Sequence, residues 1–166
     1  MIRVMFVCSG YICRSPLAHR VLERELETLG IAGRVSVESS GTGSWHVGEE
    51  ADSRMRATAG AHGLPFSHRA QQLSRQDARD ADLLFAMARG HLRDIEARAG
   101  GRPSGSIYLF RQFDPVHGDD LPAAVRSAGD VPDPYYGGAD GFEEVWQMVE
   151  RTCRVIAERI AGGQLP

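Results

Sequence analysis

The chain has 166 residues, 42% of them hydrophobic and 25% charged, enough for a single domain, residues 1–166, with a substantial core. A formal net charge of −3 gives no electrostatic reason for a nucleic-acid partner, and no apolar run reaches the length of a membrane span, so no membrane partner is expected either. Three Cys, an odd count without metal-ligand spacing, argue against a disulfide scaffold and a zinc site; with an N-terminus that enters a strand directly, they point to a reducing, cytoplasmic setting and to no metal or cofactor.

Ile2, Val4, Met5, Phe6 and Val7 form a nearly unbroken apolar run, the pattern of a strand buried on both faces of a parallel sheet. It leads into Val7-Cys8-Ser9-Gly10-Tyr11-Ile12-Cys13-Arg14-Ser15-Pro16. Ser15 stands where an N-cap belongs and Pro16 suits a first helical turn. A helix is predicted from about Ser15 to Leu29, with Leu17, Val21, Leu22, Leu26 and Leu29 on one face and Gly30 at its end.

The loop between strand and helix has a chemical logic. Successive N–H groups from Cys8 through Ser9, Gly10, Tyr11, Ile12 and Cys13 to Arg14 can form a nest, backed by the positive end of the helix, whose natural guest is a phosphate or another oxyanion. Arg14 can clamp two oxygens with its planar fork. The same field is expected to depress the pKa of Cys8 and leave a thiolate behind the phosphorus. The spacing alone is weak, because Cys153 to Arg159 repeats it inside a helical pattern with no glycine and no preceding strand. That second Cys reads as core packing; the strand, Gly10, Arg14-Ser15-Pro16 and the helix distinguish the first.

Further on, Arg34 to Ser39 alternates as a strand, and the turn-rich stretch from Ser40 to Gly48 leads to a helix from about Ala51 to Ala61. Trp45 in that loop is either a local hydrophobic plug or a wall for an aromatic ligand. His62-Gly63-Leu64-Pro65 ends the helix, and Ser67 to Leu73, containing His68, crosses back as a short irregular or extended segment. Asp82 to Met87 is a third strand, Arg89 to Ala99 a helix with Leu92 and Ile95 inward, and Ser106 to Phe110 a fourth strand. A short helix near Pro122 to Arg126 precedes Val131-Pro132-Asp133-Pro134-Tyr135-Tyr136-Gly137-Gly138. The last helix spans about Phe142 to Ile160, with Val145, Trp146, Val149, Cys153, Ile156 and Ile160 in register. Strands alternating with helices imply an α/β fold, a single-domain, four-stranded parallel doubly wound sheet with helices on both faces. Ligands of such sheets bind beyond the carboxyl ends of the strands.

The Cys8 to Pro16 loop, Trp45-His46-Val47-Gly48, His62-Gly63, His68 and Asp133-Pro134-Tyr135-Tyr136 together resemble the low-molecular-weight protein tyrosine phosphatases, in order and over essentially the whole chain. The resemblance implies hydrolysis of aryl phosphate monoesters, such as phosphotyrosine in a protein substrate, through a phosphocysteine intermediate. It implies Cys8 as nucleophile, Arg14 as phosphate and transition-state clamp, and Asp133 as the general acid that later serves as base. It further implies Ser15 as the hydroxyl bonded to the thiolate, Ser39 and His68 as loop supports, Trp45, Tyr135 and Tyr136 as aromatic walls, and Cys13 as a partner that captures oxidised Cys8. Ile12 stands where arginine phosphatases of this fold carry Thr, which suits an aryl group.

Two positions depart from the family pattern. Tyr11 replaces an Asn whose side chain ties the loop to the Ser39 and His68 region; a bulky residue in the left-handed conformation that Asn adopts costs about 1–3 kcal/mol. Tyr11 is either a product of composition drift, in a chain with neither Asn nor Lys, or a substrate-contacting ring. The usual Met-Asp-x-x-Asn segment reads Met87-Ala88-Arg89-Gly90-His91, without the supporting carboxylate. Competing readings are a thiol-dependent arsenate reductase, which needs further redox cysteines where only Cys153 remains, and a phosphate-binding pseudophosphatase, which draws on Tyr11 and Ala88.

Overall fold

The computed structural model describes residues 1–9, 14–44, 46–101, 103–134 and 137–165. A four-stranded, all-parallel sheet runs in the order β2-β1-β3-β4, formed by β1 (Ile2–Cys8), β2 (Val35–Gly41), β3 (Leu83–Ala86) and β4 (Ser106–Leu109). β1 lies between β2 and β3, so its apolar run is buried on both faces. Alternation divides it: Val4, Phe6 and Cys8 join one core cluster, Met5 and Val7 the other.

The larger cluster is closed by α1 (Arg14–Thr28) and α6 (Ala139–Ala161), which contribute Leu17, Val21, Leu22, Val145, Trp146, Val149 and Cys153. The smaller one is covered by α3 (Arg75–Asp80) and α4 (Arg89–Ala99), through Ala78, Ile95 and Ala99, with Leu92 packed against it. α2 (Ser53–Ala61) packs on α6, and α5 (Leu121–Ser127) packs on the 3-10 turn at Phe110–Phe113. The doubly wound sheet expected from the alternating pattern is the sheet observed.

Several boundaries differ from expectation for local reasons. α1 begins at Arg14, so Ser15 is not the N-cap; its hydroxyl is bonded to Cys8 instead. Leu29 lies past the end of α1 and is 42% exposed, because the chain leaves the helix through Gly30 at φ 73°. α6 starts before Phe142, capped from extended Gly138 with Asp140 in its first turn, where a carboxylate favours the helix dipole. α3 was not expected from apolar periodicity, since six residues hold only Ala78 as a buried position. Ser74, whose hydroxyl accepts the Asp77 N–H at 3.0 Å, starts it.

Candidate active site

Backbone hydrogen bonds gather the site at the carboxyl edge of the sheet. Thr42 and Gly43 N–H donate to the carbonyls of Cys8 and Ser9 at 2.9 and 3.0 Å. On the other side Met87 N–H donates to Val7 O at 3.0 Å, and Val131 N–H to Met87 O at 2.8 Å. The second of these carries residues 131–134 along the end of β3, which brings Asp133 to Arg14. Strand order reverses between β1 and β3, the crevice where doubly wound sheets receive ligands.

Cys8 Sγ ends β1 and lies 2.9 Å from Ser15 Oγ on the first turn of α1. Arg14, 6% exposed, donates from Nη1 to the Val131 carbonyl at 3.0 Å. Its Nη2 faces Ser9 Oγ at 3.4 Å and Asp133 Oδ2 at 3.6 Å. A thiol, its hydroxyl partner, a buried guanidinium and a carboxyl group thus converge from three separate segments.

The Cys8 thiol is raised, not depressed as the sequence predicts. Burial pushes it above its ordinary value; Arg14 and then Ser15 pull it down, and the Asp133 charge adds to the rise. Among the described residues, one guanidinium and one hydroxyl do not outweigh the burial of the sulfur.

Ser39 and His68 meet next to α1. His19 Nδ1 lies 2.8 Å from Ser39 Oγ and His19 Nε2 3.1 Å from Glu23, while Ser39 Oγ lies 3.4 Å from His68 Nε2. The two rings pack edge to face with centroids 5.0 Å apart, and burial holds His68 below the ordinary imidazole value. Gly10, Tyr11, Ile12, Cys13, Trp45, Tyr135 and Tyr136, expected in the loop and its walls, lie outside the described residues.

Two contributors were not singled out from the sequence. His19 enters through its helical position beneath Ser39, for which no pattern exists. His91 places Nε2 2.9 Å from Ser9 Oγ and Nδ1 3.2 Å from the Ala88 nitrogen. Its signal was present, since it sits three residues after Ala88, where an N3 side chain reaches back to the N-cap amide. Among the described residues no group of three or more His, Cys, Asp or Glu could hold a metal ion, and no helix is long and apolar enough to cross a membrane.

The family model described as "Low molecular weight phosphotyrosine protein phosphatase" matches residues 3–164. A "Low molecular weight protein-tyrosine-phosphatase" of Streptomyces coelicolor is 45% identical over 166 residues, 96% of each chain. "Low molecular weight protein-tyrosine phosphatase A" of Mycobacterium tuberculosis is 42% identical over 149 residues, 90% of this chain and 85% of that one. Among solved structures, a protein tyrosine phosphatase from Entamoeba histolytica with Hepes in the active site superposes with a TM-score of 0.86 at 28% identity, covering 99% of this chain and 100% of the other. YfkJ from Bacillus subtilis gives 0.84 at 31% identity, covering 99% and 97%.

Proposed function

Because the chain belongs to the low molecular weight phosphotyrosine protein phosphatase family, we propose that it hydrolyses phosphotyrosine in protein substrates, with Cys8 as nucleophile, Arg14 as phosphate clamp and Asp133 as general acid and base. The observation that carries the reading is the convergence on one guanidinium: Arg14, on the helical turn that also gives Cys8 its hydroxyl partner, faces Asp133 at 3.6 Å.

Cys8 sulfur attacks phosphorus as the aryl P–O bond breaks, and protonated Asp133 delivers its proton to the departing phenolate oxygen. Burial is the main cause that raises the Cys8 thiol; protonation of Asp133 removes a smaller charge that adds to that rise, so the acid form of one group favours the thiolate of the other. Arg14 holds two oxygens of the transferring phosphoryl group, where negative charge gathers. In the second half, the Asp133 carboxylate takes a proton from water as that water attacks the phosphocysteine. Sulfur leaves as a thiolate, received by the Ser15 hydroxyl, and orthophosphate is released. Aromatic walls from Tyr11, Trp45, Tyr135 and Tyr136 and redox capture of Cys8 by Cys13 belong to the same proposal.

Hydrolysis of p-nitrophenyl phosphate by the wild type, its loss in Cys8→Ser and a reduced turnover in Asp133→Ala are the expected results. A wild-type protein inactive at every pH, or a Cys8→Ser variant of full activity, overturns the reading.

A further inference from the structure

His91 is the third residue of α4 and turns its ring back over the start of the helix. Ala88 N–H lies 3.2 Å from its Nδ1, and Ser9 Oγ lies 2.9 Å from its Nε2. An amide nitrogen can only donate, so Nδ1 accepts and the proton of the neutral ring resides on Nε2. Nε2–H therefore donates to Ser9 Oγ. Arg14 Nη2 approaches the same oxygen at 3.4 Å. With both lone pairs of Oγ facing donors, the Ser9 hydrogen must point away from them, and no acceptor among the described residues takes it.

That leaves a donor without a partner directly after the nucleophile and beside the clamp. We propose that His91 orients the Ser9 hydroxyl as a further donor to the oxyanion held by Arg14, making Ser9 a phosphate-binding residue and His91 its positioning residue. The role rests on the phosphate-binding part of the reading above, not on its catalytic step. It also accounts for Ala88: a carboxylate there is not needed to organise this side of the loop, because the imidazole spans from the helix start to Ser9.

The arrangement requires a neutral ring, since a second proton on Nδ1 would face the Ala88 N–H. Burial and the Arg14 guanidinium on α1 lower the pKa of His91 to about 4, against the opposing charges of Asp94 on its own helix and Asp130 and Asp133 on the segment after α5. The ring is therefore a single tautomer throughout the pH range in which phosphate is a mono- or dianion near neutrality.

Two substitutions separate orientation from support of the helix. Asn keeps an acceptor near Nδ1, for Ala88, but has no donor reaching Ser9; Gln keeps the donor reach and lacks the acceptor. In the full chain, inorganic phosphate binding measured by calorimetry and kcat/KM for p-nitrophenyl phosphate should each fall about tenfold in His91→Asn and in Ser9→Ala, the size of one lost bond to a charged group. His91→Gln should stay within about threefold of the wild type, and His91→Asn should cost nothing further in the Ser9→Ala background. Wild-type phosphate affinity in His91→Asn, a loss in His91→Gln equal to that in His91→Asn, or multiplicative losses in the double variant overturns the proposal. Should a His91 variant unfold, Ser9→Ala decides alone: unchanged phosphate affinity there overturns it. Calorimetry needs no turnover, so a protein that binds phosphate but cleaves no ester refutes the catalytic reading and leaves this one standing or falling on the variants.

Discussion

Asp133 Oδ2 stands 3.6 Å from Arg14 Nη2, and the two groups are held very differently: the Arg14 side chain is 7% exposed, that of Asp133 46%. Arg14 is anchored by the Val131 carbonyl on the same segment that carries Asp133. Asp133 is therefore tethered to Arg14 through two residues of backbone, with its carboxylate facing the guanidinium. Under the proposed mechanism a phosphate dianion would compete with Asp133 for this guanidinium, and the half-exposed carboxylate is the partner that gives way.

Asp133→Asn should then separate binding from chemistry. Turnover of aryl phosphates is expected to fall about 10²- to 10⁴-fold with loss of the proton donor. Inorganic phosphate should bind more tightly, because no carboxylate competes for Arg14, and the pH midpoint of Cys8 alkylation should move down, because the Asp133 charge raises that thiol. Steady-state kinetics with phosphate as competitive inhibitor, and iodoacetate inactivation followed against pH, measure the three quantities.

Ser15→Ala predicts the opposite shift. The Ser15 hydroxyl, 2.9 Å from Cys8 Sγ, is among the groups that lower the thiol against its burial. Without it the alkylation midpoint should move to higher pH. Release of the thiolate from phosphocysteine should slow by about 10- to 100-fold, the worth of a hydrogen bond to a charged atom. A burst of phenol release followed by a slower steady state in rapid-mixing experiments would locate the loss in the second step.

What could be read from the sequence was what local patterns encode. The doubly buried run of β1, the amphipathic face of α6 and the strand-loop-helix around Cys8 each follow from spacing within one segment. The contacts between segments were less legible. The neighbours of Ser15 predict it as an N-cap, whereas the sulfur at the end of β1 claims its hydroxyl. Helix end and guanidinium predict a depressed Cys8 thiol, but desolvation, which spacing does not express, raises it. The reach of His91 to Ala88 follows from spacing, but its contact with Ser9 depends on β3 ending beside β1, a fact of sheet order. His19 likewise matters only because α1 packs over β2.

Outside the site, Asp114 holds the segment after β4 against α6. It is fully buried, receives two hydrogen bonds from Arg151 at 2.8 and 2.9 Å and faces Arg111 at 3.3 Å. Burial works to raise its carboxyl, but the bonds from Arg151 and Val116 N–H prevail and hold it below the ordinary carboxylate value. A depressed folded value gives stability that is present above the unfolded carboxyl pKa, about 3.9, and is lost as pH falls through the lower folded one. Asp114→Ala should cost about 2–3 kcal/mol at neutral pH, less than a wholly buried pair because Arg151 remains partly solvated. The gap from the wild type should narrow as pH drops below about 4. Urea unfolding at a series of pH values tests both statements.

Cys153 supplies the remaining test, because a reductase mechanism would need it as a second thiol. It is 0% exposed on α6, its Sγ donates to the Ala18 carbonyl at 3.6 Å, and burial raises its thiol well above the ordinary value. Such a sulfur is neither ionised nor reachable while α1 and α6 remain packed. Iodoacetate should inactivate the native protein with label recovered on Cys8 and none on Cys153, which reacts only after unfolding. Cys153→Ala should leave kcat unchanged, and arsenate should cause no oxidation that depends on this residue. Rapid native labelling of Cys153, or an arsenate-dependent disulfide that includes it, would mean that the two helices open and that the second thiol takes part in redox chemistry after all.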